Sequence, residues 1–235
     1  MRLEGIEGRV AFVTGAARGI GRSIAETLRD QGARVAGGDL RPPEIEGVLG
    51  VAVDVADESA VDRAFGQVEA ELGPVELLVL NAGIFVIEPF EETTLASWQR
   101  TLDVNLTGAF LCARRALPAM RERGFGRVVA IGSSAGKTGG AKSIAAYGAS
   151  KAGIMVMTKS IASEYAGTGV TANALAPALI DTDMVAVMPD MRERVPLRRL
   201  GTPQEVADVV VFLCSGHSSF ITGEVVDVNG GFLID

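Results

Sequence analysis

Seven short runs of β-branched and other apolar residues recur along the 235-residue chain, and segments with helical spacing separate most of them. The runs are continuous rather than alternating, which indicates strands buried on both faces of a sheet. Helices between successive strands indicate parallel crossovers, so the pattern predicts an α/β fold, a doubly wound parallel sheet covered by helices. The runs read RVAFVTG, ARVAGGD, GVAVDV, VELLVLNAG, GRVVAIGS, VTANALAP and EVVDVNGG.

The predicted helices have recognisable ends and belong to one domain. One segment ends at Gly32, a typical residue after a helix, and another begins with Asp57, a typical capping residue. No linker, repeat or low-complexity tract interrupts the chain, so we expect one domain over residues 1–235.

Two helical stretches, about 97–123 and 147–166, are richer in small and apolar residues than a solvated face requires. We expect them to pack against a second subunit or to line a thick internal core.

Composition excludes several classes of protein. Apolar residues make up 48% and charged residues 22% of the chain, but no apolar run approaches the roughly 18 residues of a membrane span. The N-terminal MRLEGIEGRV carries no export signal, so a cytoplasmic location is expected. The net charge is −7 and the arginines are scattered, which argues against nucleic acid or an anionic membrane as partner. Cys112 and Cys214 are expected to be buried thiols, and no cluster suggests a metal site.

A glycine-rich segment, TGAARGIG at residues 14–21, follows the first predicted strand and opens the first helix. Gly15, Gly19 and Gly21 would let backbone N–H groups approach a pyrophosphate at the positive end of the helix. Arg18 and Ile20 lie in the same loop and belong to the candidate site. The segment therefore predicts a nucleotide-binding turn.

Asp39 closes the second predicted strand, 18 residues after Gly21. A carboxylate there accepts hydrogen bonds from both ribose hydroxyls of adenosine and repels a 2′-phosphate, which favours NAD over NADP. Arg18 or Arg41 could instead reach a 2′-phosphate, so NADP stays an alternative. Leu40, next to Asp39, is included in the candidate site.

Further candidates follow the third and fourth predicted strands. Asp54 and Val55 are placed to border the adenine, although both could equally belong to the start of a helix. Asn81, Ala82 and Gly83 put small residues where a strand ends beside the nucleotide, although a plain turn would give the same pattern.

Tyr147 and Lys151 lie four positions apart in AAYGASKAG, and on a helix they share one face. An ammonium near a phenol favours the phenolate and lowers its pKa from about 10. A tyrosine tuned in this way suits general acid or base chemistry on alcohols and ketones. From the local pattern alone, a solvated pair on a small-residue helix is the alternative.

Several motifs occur in the same order as in the short-chain dehydrogenase/reductase family, and together they resemble that family. Within it, the overall pattern is most similar to that of the 3-oxoacyl-acyl-carrier-protein reductases. The resemblance runs from about Arg9 to the C-terminal ITGEVVDVNGG. It implies a single-domain Rossmann fold with a seven-stranded sheet in the order 3-2-1-4-5-6-7, a cofactor-binding half of about 1–125, a catalytic half of about 126–235, and a homotetramer. The motifs are TGAARGIG, Asp54-Val55, NAG, NLTGAF, GRVVAIGS, YGASK and APALIDT.

The resemblance also implies roles for single residues. Tyr147 would exchange the substrate proton while hydride passes between the substrate carbon and nicotinamide C4, and Lys151 would hold the nicotinamide ribose and lower the tyrosine pKa. Asn105 would anchor a water, unless its side chain only makes hydrogen bonds inside a helix. For the substrate-binding serine, the common spacing to the tyrosine favours Ser134, but we prefer Ser133 because its place on the strand fixes geometry more firmly.

Two departures from the family pattern follow the sixth predicted strand. Pro177, Ile180 and Thr182 stand where the family contacts the carboxamide and diphosphate, but Ala178 replaces the usual glycine. The segment after Met184, VAVMPDMRERVPL, is shorter than its counterpart and suggests a more open substrate pocket. His217 lies beyond these motifs and is expected only to cap a loop.

The predicted function is an NAD(P)-dependent oxidoreductase acting on a small-molecule secondary alcohol or ketone. Similarity makes a 3-oxoacyl or 3-hydroxyacyl thioester the first substrate class. Asp39, Thr168 in place of a basic docking residue, and the negative net charge weaken that choice. An NAD-dependent catabolic dehydrogenase of a sugar, polyol or cyclic alcohol is the alternative. A non-catalytic nucleotide sensor is a remote one, since such proteins generally lose the tyrosine or the lysine.

Overall fold

The computed structural model describes residues 3–140, 142–186 and 190–234. Seven strands in this part of the chain form one parallel sheet in the order β3-β2-β1-β4-β5-β6-β7, which confirms the predicted topology. The order reverses between β1 and β4, and ligands of open α/β sheets bind at such a point, outside the carboxyl ends of the strands. The strands are β1 (Val10–Thr14), β2 (Arg34–Asp39), β3 (Val48–Ala52), β4 (Leu77–Leu80), β5 (Gly126–Ile131), β6 (Val170–Pro177) and β7 (Val225–Val228).

Helices cover both faces of the sheet. None of those described is long and apolar enough to cross a membrane. They are α1 (Gly19–Asp30), α2 (Glu58–Glu71), α3 (Leu95–Leu102), α4 (Gly108–Arg123), α5 (Ser134–Thr138), α6 (Ala145–Glu164), α7 (Asp183–Ala186) and α8 (Pro203–Cys214), with short 3₁₀ turns at Phe90–Glu92, Arg192–Arg194 and Gly216–Ser218.

The core consists of two layers, one on each face of the sheet. Along β1, Phe12 enters the layer that contains α2 and α4, where it meets Phe65 edge-on at 5.1 Å, while Val13 enters the layer that contains α1 and α8. Every residue of β1 is buried, which explains why the strand reads as a continuous apolar run. Leu28 of α1 and Val210 of α8 are buried in that second layer.

Two local features differ from the sequence-based expectations. The third strand was predicted at GVAVDV but ends earlier, at Ala52, because the carboxylate of Asp54 accepts a hydrogen bond from the N–H of Ala56 and turns the chain. The stretch 97–123 is not one regular helix, because the π-helical turn Asp103–Thr107 joins α3 to α4. Such turns are frequent at functional sites.

Candidate active site

Two adjoining cavities open at the carboxyl ends of the strands, each of about 470 Å³. We call them the nucleotide cavity, lined by the glycine-rich loop and Asp39, and the catalytic cavity, lined by Ser133, Tyr147 and Lys151. They form one cleft, since both are lined by Ile20, Asn81, Gly83, Thr182 and Met184.

The glycine-rich loop has the shape that a pyrophosphate requires. Gly15 and Gly19 adopt φ values of +67° and +56°, and a Cβ at Gly21 would lie 2.1 Å from the carbonyl oxygen of Gly15. No side chain caps the N-terminus of α1, and its first turn carries no acidic residue. Its free N–H groups and positive end therefore suit an anionic group.

Asp39 lies at the end of β2 and lines the nucleotide cavity. Its two carboxylate oxygens accept hydrogen bonds from the N–H groups of Ala17, at 3.1 Å, and Leu40, at 2.8 Å. Leu40 leaves 65% of its surface exposed at the same edge, an apolar face suited to a base. Arg18 forms an ion pair with Asp183 of α7, at 3.0 Å, and Arg41 is exposed.

The ends of β3 and β4 complete the nucleotide cavity. Asp54 and Val55 line it, and the helix cap of α2 is Asp57 rather than Asp54. The side-chain amide of Asn81 donates to the carbonyl oxygens of Thr14 and Gly15, both at 2.9 Å, and so fixes the glycine-rich loop against β4. Ala82 and Gly83 line the same cavity.

Ser133 and Tyr147 meet in the catalytic cavity. Ser133 follows β5 as the N-cap of α5, where its Oγ accepts a hydrogen bond from the N–H of Ala135 at 3.1 Å, and its side chain acts on the phenol of Tyr147 by lowering its pKa. Ser134 lines the same cavity within the first turn of α5, where its carbonyl oxygen accepts from the Thr138 hydroxyl. Of the two serines that the sequence left open, the structure brings Ser133 to the tyrosine.

Lys151 lies one turn after Tyr147 on α6, with its Nζ 5.8 Å from the centre of the tyrosine ring. The Nζ donates a 2.7 Å hydrogen bond to the carbonyl oxygen of Ile131, and burial lowers the pKa of Lys151 to about 8. Burial also raises the pKa of Tyr147, against the hydrogen bond with Ser133, which lowers it. The predicted lowering of the tyrosine pKa was therefore wrong, because desolvation by burial outweighs the effects that lower it.

Asn105 lies in the π-helical turn between α3 and α4 and is fully buried. Its Oδ1 accepts from the N–H of Ile84, at 2.8 Å, and its Nδ2 donates to the Ile84 carbonyl oxygen and to the Ser150 hydroxyl, both at 3.0 Å. The side chain is thus engaged inside the protein, as one of the two sequence-based interpretations proposed, and it ties this turn to the NAG segment and to α6.

The segment after β6 borders both cavities. Pro177 and Ile180 line the catalytic cavity, and Thr182 lines both. Positive φ occurs at Leu179, +49°, and not at Ala178, which explains why alanine is accepted where the family usually has glycine. The segment 185–197, whose short length suggested a more open substrate pocket, includes residues 187–189, which lie outside the described residues.

Sequence reasoning missed two aromatic residues that line the catalytic cavity, Phe85 and Phe232. Phe85 lines the catalytic cavity and meets the Tyr147 ring edge-on, with the ring centres 4.9 Å apart. Only its place two residues after Gly83 could have signalled this contact. His217 is exposed in the Gly216–Ser218 turn. Cys112 and Cys214 are free and buried, and the described residues contain no cluster of metal ligands.

A comparison with known families identifies the family to which the chain belongs. The family described as enoyl-(acyl carrier protein) reductase matches residues 15–233. The chain belongs to the short-chain dehydrogenase/reductase family. Its glycine-rich turn, with no room for a side chain at Gly21, fits the dinucleotide cofactor of this family.

Individual members of the family resemble the chain over nearly its whole length. The 3-oxoacyl-[acyl-carrier-protein] reductase MabA of Mycobacterium tuberculosis is 43% identical over 95% of this chain and 92% of its own. A 2-dehydro-3-deoxy-L-rhamnonate dehydrogenase (NAD(+)) of Sphingomonas is 40% identical over 95% of each chain. The crystal structure of a Brucella melitensis 3-ketoacyl-(acyl-carrier-protein) reductase complexed with NADH has a TM-score of 0.93 and 30% identity, over 98% of this chain and all of that one. This dehydrogenase/reductase is thus an oxidoreductase of CH–OH groups with a nicotinamide cofactor.

Proposed function

We propose that this dehydrogenase/reductase interconverts a secondary alcohol and a ketone with NAD(H). The observation that carries the proposal is that Ser133, Tyr147 and Lys151 line one cavity, which is continuous with the nucleotide cavity. Both halves of the chain contribute to this one cleft, so we treat residues 1–235 as one functional domain.

Tyr147 is the proton-transferring group of the proposal. The bound nicotinamide supplies or accepts the hydride at its C4. During ketone reduction Tyr147 gives its hydroxyl proton to the carbonyl oxygen, and during oxidation its oxygen takes the alcohol proton. Burial raises its pKa, so the phenol is protonated at neutral pH and ready to act as an acid. The oxidation direction needs the phenolate and gains rate as the pH rises.

Ser133 and Lys151 assist this transfer. The Ser133 hydroxyl lines the same cavity as Tyr147, lowers the pKa of the phenol, and is available to hydrogen-bond the substrate oxygen. Lys151, charged below a pKa of about 8, stabilises negative charge on Tyr147 once the proton has left. Phe85, edge-on to the phenol, fixes the orientation of the ring.

The charges around the ribose position support NAD rather than NADP. Asp39 presents a carboxylate at the end of β2, where a 2′-phosphate would be repelled. Arg18, the cation of the glycine-rich loop, is already paired with Asp183. NADP binding would need Arg18 to leave that partner, or Arg41 to fold back over Asp39.

Two substrate classes follow from different observations. Similarity to the MabA reductase supports a 3-oxoacyl or 3-hydroxyacyl thioester. Asp39, the net charge of −7 and Thr168, where those reductases tend to carry a basic docking residue, support a sugar, polyol or cyclic alcohol of catabolism. The rhamnonate-related dehydrogenase, whose name specifies NAD(+), agrees with the second class.

A homotetramer is part of the proposal. Phe110 on α4 and Val156 on α6 leave 45% and 63% of their surfaces exposed, on the two stretches that the sequence marked as too apolar for a solvated face. The four strand residues of β7, at the edge of the sheet, are each only partly buried. These surfaces suit contacts between copies of the chain.

Initial-rate measurements with NAD⁺ test the proposal. We expect the protein to oxidise compounds from at least one of three panels. The panels are 3-hydroxyacyl thioesters, polyols with their acids, and cyclic alcohols. Tyr147→Phe should lower kcat at least about 10²-fold and leave the Kd for NADH within about twofold, because only the proton-transferring hydroxyl is lost. Tight NADH binding with no turnover in any panel would favour the sensor alternative. Full activity of Tyr147→Phe would contradict the mechanism.

A further inference from the structure

The catalytic cavity carries positive charge in an acidic protein. The chain has a net charge of −7, and the nucleotide cavity is lined by four aspartates against two arginines. The catalytic cavity, over the described residues that line it, has two cations, Lys151 and Arg194, and no carboxylate. Lys151 is buried beside Tyr147, whereas Arg194 lies in the exposed turn Arg192–Arg194.

Arg194 differs from the other arginines of its segment. Arg192 pairs with Asp190 at 2.7 Å, Arg198 pairs with Glu193, and Arg199 pairs with Glu205 at 2.5 Å. No carboxylate among the described residues forms an ion pair with Arg194. The nearby carboxylates are thus taken by other cations, and the charge of Arg194 is left for a ligand.

An aromatic ring holds the Arg194 guanidinium at the cavity. Its Cζ lies 5.6 Å from the centre of the Phe232 ring, and both side chains belong to residues that line the catalytic cavity. A guanidinium on an aromatic face keeps its N–H groups available at its edge. Two parallel N–H donors match the two oxygens of a carboxylate.

We propose that the substrate carries a carboxylate and that Arg194 binds it while the carbinol carbon lies at Tyr147. This inference rests on the proposed function and selects, within it, hydroxy acids and oxo acids over neutral alcohols. The remaining wall, with Ile144, Leu179, Met184, Val185 and Met191, is apolar and accommodates the carbon skeleton between the two polar ends.

Binding of a matched pair of compounds tests the proposal without requiring turnover. Cyclohexanecarboxylate and cyclohexanecarboxamide differ in charge and little in shape, so calorimetric titration of the NADH-loaded protein isolates the charge. We expect the wild-type protein to bind the acid at least about fivefold more tightly than the amide at low salt, and the preference to shrink in high salt. Arg194→Gln should remove the preference. Arg192→Gln, a change of the same charge two residues away, should keep it.

Equal binding of acid and amide by the wild-type protein, no binding of the acid, or a preference that survives Arg194→Gln would each overturn the assignment. The proposed function fails on a different observation, namely absence of NADH binding or of turnover that depends on Tyr147. The control Arg192→Gln should therefore retain both the Kd for NADH and the turnover of any neutral alcohol, and Arg194→Gln should retain the Kd for NADH.

Discussion

Ser133 lies just beyond the end of β5 and lowers the pKa of Tyr147, while Ser134, one residue on, lies within the first turn of α5. Strand register and motif spacing gave conflicting assignments of the serine, because the loop before α6 can absorb one residue without any trace in the sequence. The effect of the Ser133 side chain on the tyrosine pKa supports the assignment from strand register, and both serines line the cavity.

Replacing each serine by alanine separates the two roles. We expect Ser133→Ala to lower kcat at least about tenfold, because the Tyr147 hydroxyl loses its partner and the substrate oxygen loses a donor. Ser134→Ala serves as the matched control and should keep kcat within about threefold. Steady-state kinetics with one substrate suffices, and the reverse order of effects would move the assignment to Ser134.

Lys151 links the site to stability through its pKa. Burial lowers that pKa from 10.5 to about 8, so between pH 8 and 10.5 the unfolded chain binds more protons than the folded one. The contribution of Lys151 to the free energy of unfolding must therefore rise with pH in this window. Denaturant titrations measure the free energy of unfolding of both proteins. The free energy for wild type minus that for Lys151→Met should increase from pH 8 to pH 10. The same difference for exposed Lys159→Met on α6 should stay flat, and a flat or falling curve for Lys151 would contradict the burial argument.

At the scale of elements, burial decides what the sequence can predict. Every residue of β1 and β6 is buried, so β1 stands out as a nearly continuous apolar run and β6 as an apolar run interrupted by Thr171 and Asn173. The end of β3 was misplaced because the turn depends on the Asp54 side chain, and the π-helical turn around Asn105 has no residue signature. Contacts between loops, such as that of Phe85 with Tyr147, need the folded geometry.

Two glycines within helices offer a matched test of the nucleotide cavity. A Cβ at Gly21 in α1 would lie 2.1 Å from the Gly15 carbonyl oxygen, whereas one at Gly66 in α2 would meet nothing within 4 Å. We expect Gly21→Ala to weaken NADH binding more than tenfold by displacing the loop. Gly66→Ala should leave binding unchanged and raise the free energy of unfolding by about 0.5–1 kcal/mol. Unaltered NADH binding by Gly21→Ala would contradict the role given to this turn.

At the scale of the whole molecule, the exposed apolar residues of α4 and α6 predict a subunit interface. Val156→Arg, on the exposed face of α6, should shift the mass measured by light scattering from tetramer to a smaller species, because it places a charge in the contact. Gln67→Arg introduces the same side chain on the exposed surface of α2 and should leave the mass unchanged. A monomeric wild-type protein, or a tetramer insensitive to Val156→Arg, would contradict this interface.

The measurement that tests the account most directly is a fluorescence titration of the protein with NADH and with NADPH. We expect NADH to bind at least about tenfold more tightly, a difference of about 1.4 kcal/mol, because Asp39 repels a 2′-phosphate. Asp39→Asn keeps the size of the side chain and should remove most of the preference, whereas Asp62→Ala on α2 should keep it. Equal or tighter binding of NADPH by the wild-type protein would contradict the cofactor assignment, and binding of neither would contradict the site itself.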